Sequence, residues 1–259
     1  MAYQYSLYQK KDRIAYITIK RPEVMNAVHR PADEELGEIW NDFRNDPELW
    51  LAIVTGSGEK AFCAGMDVKY SAAQLDETEK PPLPGSHGGI IKQFECWKPI
   101  IAAINGYCLG AGLEIALACD IIIAAEHATF GFPEGAVGDI SPTGIHRLPR
   151  QIPLKIAMGM LLTGRRISAE EAYRIGLINE VVPLPELIPT AEKWAQDILR
   201  CAPLAIRGTK ESALRGLGFP LMDALNTRYH EQAVSIASED RAEGLKAFSE
   251  KRPPQWKGH

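Results

Sequence analysis

Apolar and polar side chains interleave over residues 13–20, where Ile14, Tyr16, Ile17 and Ile19 mark a strand, and a partner strand is predicted over residues 5–9. Arg21-Pro22-Glu23 ends the pair. The period then changes: Leu36, Ile39, Trp40 and Phe43 recur at helical spacing within residues 32–44, with Pro31 suited to a helix start. Residues 50–55 form a short apolar run that predicts a buried strand closed by Gly56-Ser57-Gly58. The same pattern returns at 100–104, breaks at Asn105-Gly106, and resumes after Gly110-Ala111-Gly112 as a small-residue apolar helix. Residues 121–125 predict another strand. Strands alternating with helices argue for an α/β architecture with crossover connections.

From Pro153 onward the periodicity is helical. Helices are predicted over 154–162, 168–175, 187–200, 203–214, 221–237 and 240–252, with one strand among them at 177–182. Residues 76–89 carry three prolines and almost no apolar side chains and predict a mobile surface loop or lid.

Composition narrows the partners. The chain has 259 residues, 46% hydrophobic and 24% charged, with a formal net charge of −4. These are ordinary values for a water-soluble globular protein. A dominant nucleic-acid ligand calls for a concentrated basic surface, so none is expected. No run approaches a membrane span and the first residues lack a signal core, so no membrane partner is expected. Five cysteines without a Cys-x-x-Cys pair read as reduced thiols in a cytoplasmic setting, with no zinc or other metal site.

Glu114 is the awkward residue. It sits among Leu113, Ile115, Ala116, Leu117 and Ala118, so its carboxyl must be paired, neutral or chemically used. An arginine partner that merely holds the fold is the simplest alternative to a catalytic role. Glu134 follows Phe130-Gly131-Phe132-Pro133 in a turn, where a glutamate is ordinarily solvated. Met66 follows Ala64-Gly65, and Ala111 follows Gly110, so both backbones are approachable; if they meet, their N–H groups form an oxyanion hole. His127, His146 and His230 lack ligand spacing. Gly56-Ser57-Gly58 lacks the Gly-Lys-Ser/Thr ending of a phosphate loop, and no Gly-x-Ser-x-Gly elbow is present.

Several ordered motifs together resemble the enoyl-CoA hydratase/isomerase (crotonase) superfamily. They are Arg-Pro-Glu-Val-Met-Asn-Ala at 21–27, Ala-Phe-Cys-Ala-Gly-Met-Asp-Val at 61–68, the unit 103–120, Phe-Gly-Phe-Pro-Glu at 130–134, and the stretches 163–172, 176–182 and 243–252. The resemblance implies a crotonase (ClpP-like) fold, a repeated ββα spiral core over 1–200 with a C-terminal helical oligomerisation region over 201–259. It implies an acyl-CoA hydratase that adds water reversibly to a 2-enoyl-CoA thioester and needs no cofactor beyond the coenzyme A of its substrate. A trimer or dimer of trimers is the implied assembly.

By the same resemblance, Met66 and Ala111 supply the oxyanion-hole N–H groups. Glu114 activates water, and Glu134 delivers a proton to the α-carbon. Ala64, Asp67 and Val68 lie along the CoA moiety, and Phe248 and Lys251 reach it from the C-terminal helix, often from a neighbouring subunit. An isomerase, a carnitinyl-CoA dehydratase-like enzyme and a non-catalytic acyl-CoA-binding scaffold are the alternatives. The chain departs from the family in having Ala111 where glycine is common. The loop after Glu134 is shortened and carries Asp139 and Ser141-Pro142, which points to an acyl group other than a simple straight chain.

Overall fold

A computed structural model describes residues 3–74, 87–92 and 94–259. The chain opens with an antiparallel hairpin, β1 (Ser6–Lys11) and β2 (Ile14–Ile19), followed by α1 (Arg30–Asn45). Three strand pairs then step between two sheets. The first is β3 (Leu51–Gly56) and β4 (Ala61–Cys63), followed by α2 (Val68–Ala73); the second is β5 (Ile100–Ile104) and β6 (Tyr107–Leu109), followed by α3 (Ala111–Ala118). The third is β7 (Ile121–Ala125) and β8 (Thr129–Gly131), followed by a single 3₁₀ turn, Glu134–Val137. After α4 (Gly144–Gln151), α5 (Leu154–Thr163), β9 (Ile167–Ser168), α6 (Ala169–Arg174) and β10 (Glu180–Val182), the chain is helical. These last elements are α7 (Leu187–Leu199), α8 (Pro203–Gly216), α9 (Leu221–Asn226), α10 (His230–Ala237) and α11 (Glu239–Glu250).

One sheet has the order β1-β2-β3-β5-β7-β10 and is parallel from β2 onward; the other has the order β4-β6-β8-β9. First members of the three pairs therefore share one sheet and second members the other, the repeated ββα plan of the crotonase fold. Strands β3, β5 and β7 read as continuous apolar runs because both of their faces are covered. Ala52, Val54, Ile100, Ala102 and Ile104 face a core shared with α1 and α3, while Leu51, Ile53, Ile101 and Ala103 face a second core capped by Leu187, Ala191 and Ala195 of α7.

Many strand and helix positions follow the sequence pattern, but α2 and α4 have no predicted counterpart, the strand predicted over 177–182 is only Glu180–Val182, and three further differences bear on the site and its surroundings. The predicted helix 221–237 is two helices, broken at 227–229. Tertiary contacts set the break: the Glu231 N–H donates to Glu211 Oε2 at 2.6 Å, and Gly208 of α8 lies against the Gln232 backbone. The strands of the second sheet are two or three residues long, too short to show a period, and exist because they pair with one another. The third difference is at the predicted loop 76–89, whose residues 76–86 lie outside the described residues. His87–Gly89 form a 3₁₀ turn with Gly88 and Gly89 buried, where an exposed loop is predicted.

Candidate active site

Two backbone N–H groups at the ends of β4 and β6 belong to residues that line one cavity. Gly65, at φ +110°, turns the chain after β4. Val28 N–H donates to Gly65 O at 2.9 Å and Asp67 N–H donates to Val28 O at 2.7 Å, so a parallel bridge holds both neighbours of Met66. Such a bridge turns the Met66 N–H away from Val28. Ala111 is the first residue of α3, and its N–H has no intrahelical acceptor by construction. Gly112 rests on the Cys63 carbonyl, so closely that a Cβ there collides with it, and this seats the start of α3 over the end of β4. A Cβ on Gly65 would lie 3.7 Å from Ala111 N. Among the described residues neither the Met66 nor the Ala111 N–H has an acceptor. Both residues line one cavity of about 390 Å³.

Glu114 lies in the first turn of α3, 1% exposed, and lines the same cavity. Its partner is not an arginine. Oε1 accepts from Thr143 N (2.8 Å), Thr143 Oγ1 (2.9 Å) and Gly144 N (2.7 Å), where the chain enters α4. One carboxylate oxygen thus satisfies donors that α4 leaves free at its start, a favourable place for an anion. Oε2 remains for other chemistry.

Glu134 approaches from the turn after β8. Ser141 Oγ donates to its Oε1 at 2.6 Å, while Oε2 is buried without a partner. Burial raises its carboxyl above its ordinary value; the Ser141 bond offsets part of this, and the charges of Glu114 and Asp139 push it up further. Gly110 makes room for it. At φ 53° and ψ −125° the backbone is one that side chains rarely tolerate, and a Cβ there would stand 2.7 Å from Glu134 Oε1.

Of the remaining predicted residues, Ala64 and Val68 line the cavity. Asp67 does not. Its Oδ1 accepts from Tyr70 N (3.1 Å), capping α2, and its Oδ2 pairs with Arg21 at 3.0 Å. Burial opposes ionisation, but these two bonds hold its carboxyl below the ordinary value. Phe248 and Lys251 lie on α11 and at its end, outside the cavity, with Phe248 87% exposed. His87 and Asp139 also line the cavity; the former falls within the stretch predicted as a loop, so its role had no sequence signal beyond the flanking glycines. A larger cavity, about 510 Å³, lies between Lys98, Arg207, Glu211 and Tyr229. It contains neither of the carboxylates nor the two backbone donors, and its Arg207 and Arg215 are already paired with Glu231 and Glu95.

Two backbone donors without acceptors among the described residues and two carboxyl groups of unlike surroundings line the same cavity; donors of this kind, where they converge on one oxygen, stabilise an enolate, and paired carboxyl groups move protons at adjacent carbons. Residues 9–259 match the profile of the family described as enoyl-CoA hydratase/isomerase. The chain is 43% identical to (E)-benzylidenesuccinyl-CoA hydratase of Thauera aromatica over 248 residues, covering 95% of this chain and 96% of that protein. It is 42% identical to carnitinyl-CoA dehydratase of Salmonella typhi over 252 residues, covering 95% of each. Its fold superposes on the crystal structure of an enoyl-CoA hydratase from Bacillus anthracis with a TM-score of 0.90 at 36% identity, covering 99% of this chain and all 100% of the other. With the cavity described above and a match over almost the whole sequence, the chain belongs to the enoyl-CoA hydratase/isomerase family.

Proposed function

We propose that this protein is an acyl-CoA hydratase that adds water across the α,β double bond of a 2-enoyl-CoA thioester. The observation that carries the reading is the asymmetry of the two carboxyl groups that line one cavity with Met66 and Ala111. Glu114 has one oxygen saturated by three donors and the other free to accept a proton from water. Burial shifts Glu134 toward holding a proton more readily than an ordinary carboxyl, and its unpartnered Oε2 is the oxygen that delivers.

In this mechanism the thioester carbonyl oxygen sits between the two N–H groups. Water attacks the β-carbon as Glu114 Oε2 takes its proton. The double-bond electrons move through the α-carbon to the carbonyl oxygen, and the resulting enolate is held by the two donors. Such a donor typically contributes about 3 to 4 kcal/mol to transition-state stabilisation. The enolate then collapses, taking the Glu134 proton at the α-carbon. Proton exchange with water resets the pair. The steps move protons only, so coenzyme A enters as part of the substrate and no redox group is called for. Hydration and dehydration are one reaction in two directions, and both relatives compared above fit the same machinery.

Ala64 and Val68 line the cavity beside the oxyanion donors and fit a role along the CoA moiety, whereas Asp67 acts there by fixing α2. In the helices of 201–259, Leu217, Leu221, Met222, Leu225, Leu245 and Phe248 are exposed, which supports self-association through this region as a trimer or dimer of trimers. In such an assembly Phe248 and Lys251 would meet the CoA of a neighbouring copy. The five cysteines are free thiols, three of them buried, in keeping with a reducing, cytoplasmic compartment.

The test is turnover by the purified protein of crotonyl-CoA and of branched, aryl, carboxylated and ammonium-bearing 2-enoyl-CoAs. Glu114→Gln and Glu134→Gln are each expected to lower kcat by about 10²- to 10⁴-fold. Absence of hydration across the set sinks the reading. Isomerisation of a 3-enoyl-CoA that survives Glu114→Gln would replace it with the isomerase, and tight binding without turnover with a scaffold.

A further inference from the structure

The hydration steps leave one cavity-lining side chain unused and firmly mounted. His87 Nδ1 lies 3.1 Å from Asp33 Oδ2, and Asp33 is buried in the first turn of α1. The other Asp33 oxygen, Oδ1, accepts from Gly88 N at 2.7 Å. Trp40 Nε1 donates to Gly88 O at 2.8 Å. Gly88, at φ +66°, presses against the Ile115 side chain so closely that a Cβ there collides with it. Helices α1 and α3 thus grip the turn, and a carboxylate fixes the ring through one nitrogen. Held in this way, Nδ1 carries its proton toward Asp33, and Nε2 is the nitrogen left for the cavity. Among the described residues Nε2 has no partner.

We propose that His87 is a specificity-determining residue that binds, through Nε2, a carboxylate carried by the acyl chain, so that the preferred substrates are 2-enoyl-CoAs with a second carboxylate beyond the β-carbon. The inference rests on the hydratase reading for the reaction but not for the binding preference. No lysine or arginine lines the cavity among the described residues, whereas Glu114, Glu134 and Asp139 all do. A free carboxylate entering there is repelled unless it pairs with His87, and a plain alkyl chain leaves Nε2 facing carbon. The groups facing the ring favour its charged form: Asp33 from α1 by hydrogen bond, against burial, then Glu114 from α3 and Asp139 from the segment after β8. Glu134 lines the same cavity. Asp139 is exposed at the rim, where its Oδ1 accepts from the Ile140 N–H, so it does not compete for the inner position.

Calorimetric titration of the whole protein with glutaryl-CoA and butyryl-CoA isolates the added carboxylate without requiring turnover. Wild type is expected to bind glutaryl-CoA about tenfold or more tighter, the scale of one hydrogen bond to a charged group. His87→Ala should abolish that ratio while the butyryl-CoA Kd stays within about threefold, as for a change that leaves the fold intact. His87→Gln, which keeps a donor, should retain part of the preference. The wild-type advantage should fade as pH rises through the raised His87 value, and the His87→Gln ratio should not follow that titration. Equal wild-type affinities, tighter binding of γ-trimethylammoniobutyryl-CoA, or a His87→Ala protein that weakens for both ligands alike would overturn the assignment. If the glutaryl preference depends on His87 but no 2-enoyl-CoA is hydrated, the hydratase reading fails and the binding assignment stands.

Discussion

Glu114 and Glu134 face the same cavity, yet the molecule holds them in opposite ways. Glu114 is on a helix whose other side chains are all core, and three donors converge on one of its oxygens. Glu134 sits in a single 3₁₀ turn, meets one hydroxyl, and leaves an oxygen buried without a partner. The α3 half of the site is therefore part of the scaffold, and the half on the segment after β8 is tuned by surroundings that bear little on stability. A group that orients water gains from rigidity. One that must hold a proton and release it gains from an environment that disfavours its charge.

That difference is broken most directly by truncating each residue. Glu114→Ala leaves the Thr143 and Gly144 donors without an acceptor. At about 1 to 3 kcal/mol for each buried group left unsatisfied, allowing for partial relaxation, the expected loss is about 3 to 5 kcal/mol. Glu134→Ala strands only Ser141 and removes an unpartnered oxygen, so about 0 to 1 kcal/mol is expected. Chemical denaturation of both variants decides it; equal losses would dissolve the contrast. Gly110→Ala comes next. Its Cβ would enter the space of Glu134 Oε1 from a backbone position that disfavours any side chain, with an expected cost of about 1 to 3 kcal/mol. The kcat for hydration should fall with it, since the displaced group is the proposed acid. An unchanged kcat would show that Glu134 is not needed where it stands.

Much of the scaffold half was legible in the sequence, and much less of the tuned half. Ile100–Ile104 and Ile121–Ala125 are strands with the ends their apolar runs indicate, because a strand covered on both faces leaves no room for polar residues. Glu114 stood out as a carboxylate in an apolar helix. Its partners did not, because two of them are backbone N–H groups at the start of α4, and backbone donors have no sequence signature. The placing of Met66 and Ala111 on one cavity depends on the short second sheet, which has no periodicity of its own. Asp67 caps α2 and pairs with Arg21, contacts that its motif does not announce, since the same residue type serves several purposes. His87 was hidden in a polar stretch, and only the burial of Gly88 and Gly89 against α1 makes it part of the wall.

The tuned half is sharpened by Ser141→Ala, the mildest change and the most specific. Burial raises Glu134 first, and the Ser141 hydrogen bond works against that rise by favouring the carboxylate. Removing the hydroxyl moves the Glu134 titration further up. In the proposed mechanism the working pair carries one proton, held by Glu134 at the start of hydration, so loss of that proton sets the alkaline limb of kcat/KM. Hydration and dehydration start from two arrangements of the same singly protonated pair, and their equilibrium constant is independent of pH. Both directions must therefore show the same limb, and in Ser141→Ala it should shift to higher pH in both. Stability follows with a definite sign. A folded-state value above the unfolded one means that the Glu134 contribution is fully present at low pH and is lost as pH rises through the folded value, so Ser141→Ala should extend it to higher pH. Thr143→Ala removes one of three donors from Glu114 and none from Glu134, and should leave the alkaline limb in place. A limb that moves with Thr143→Ala and stays put with Ser141→Ala would exchange the roles of the two glutamates.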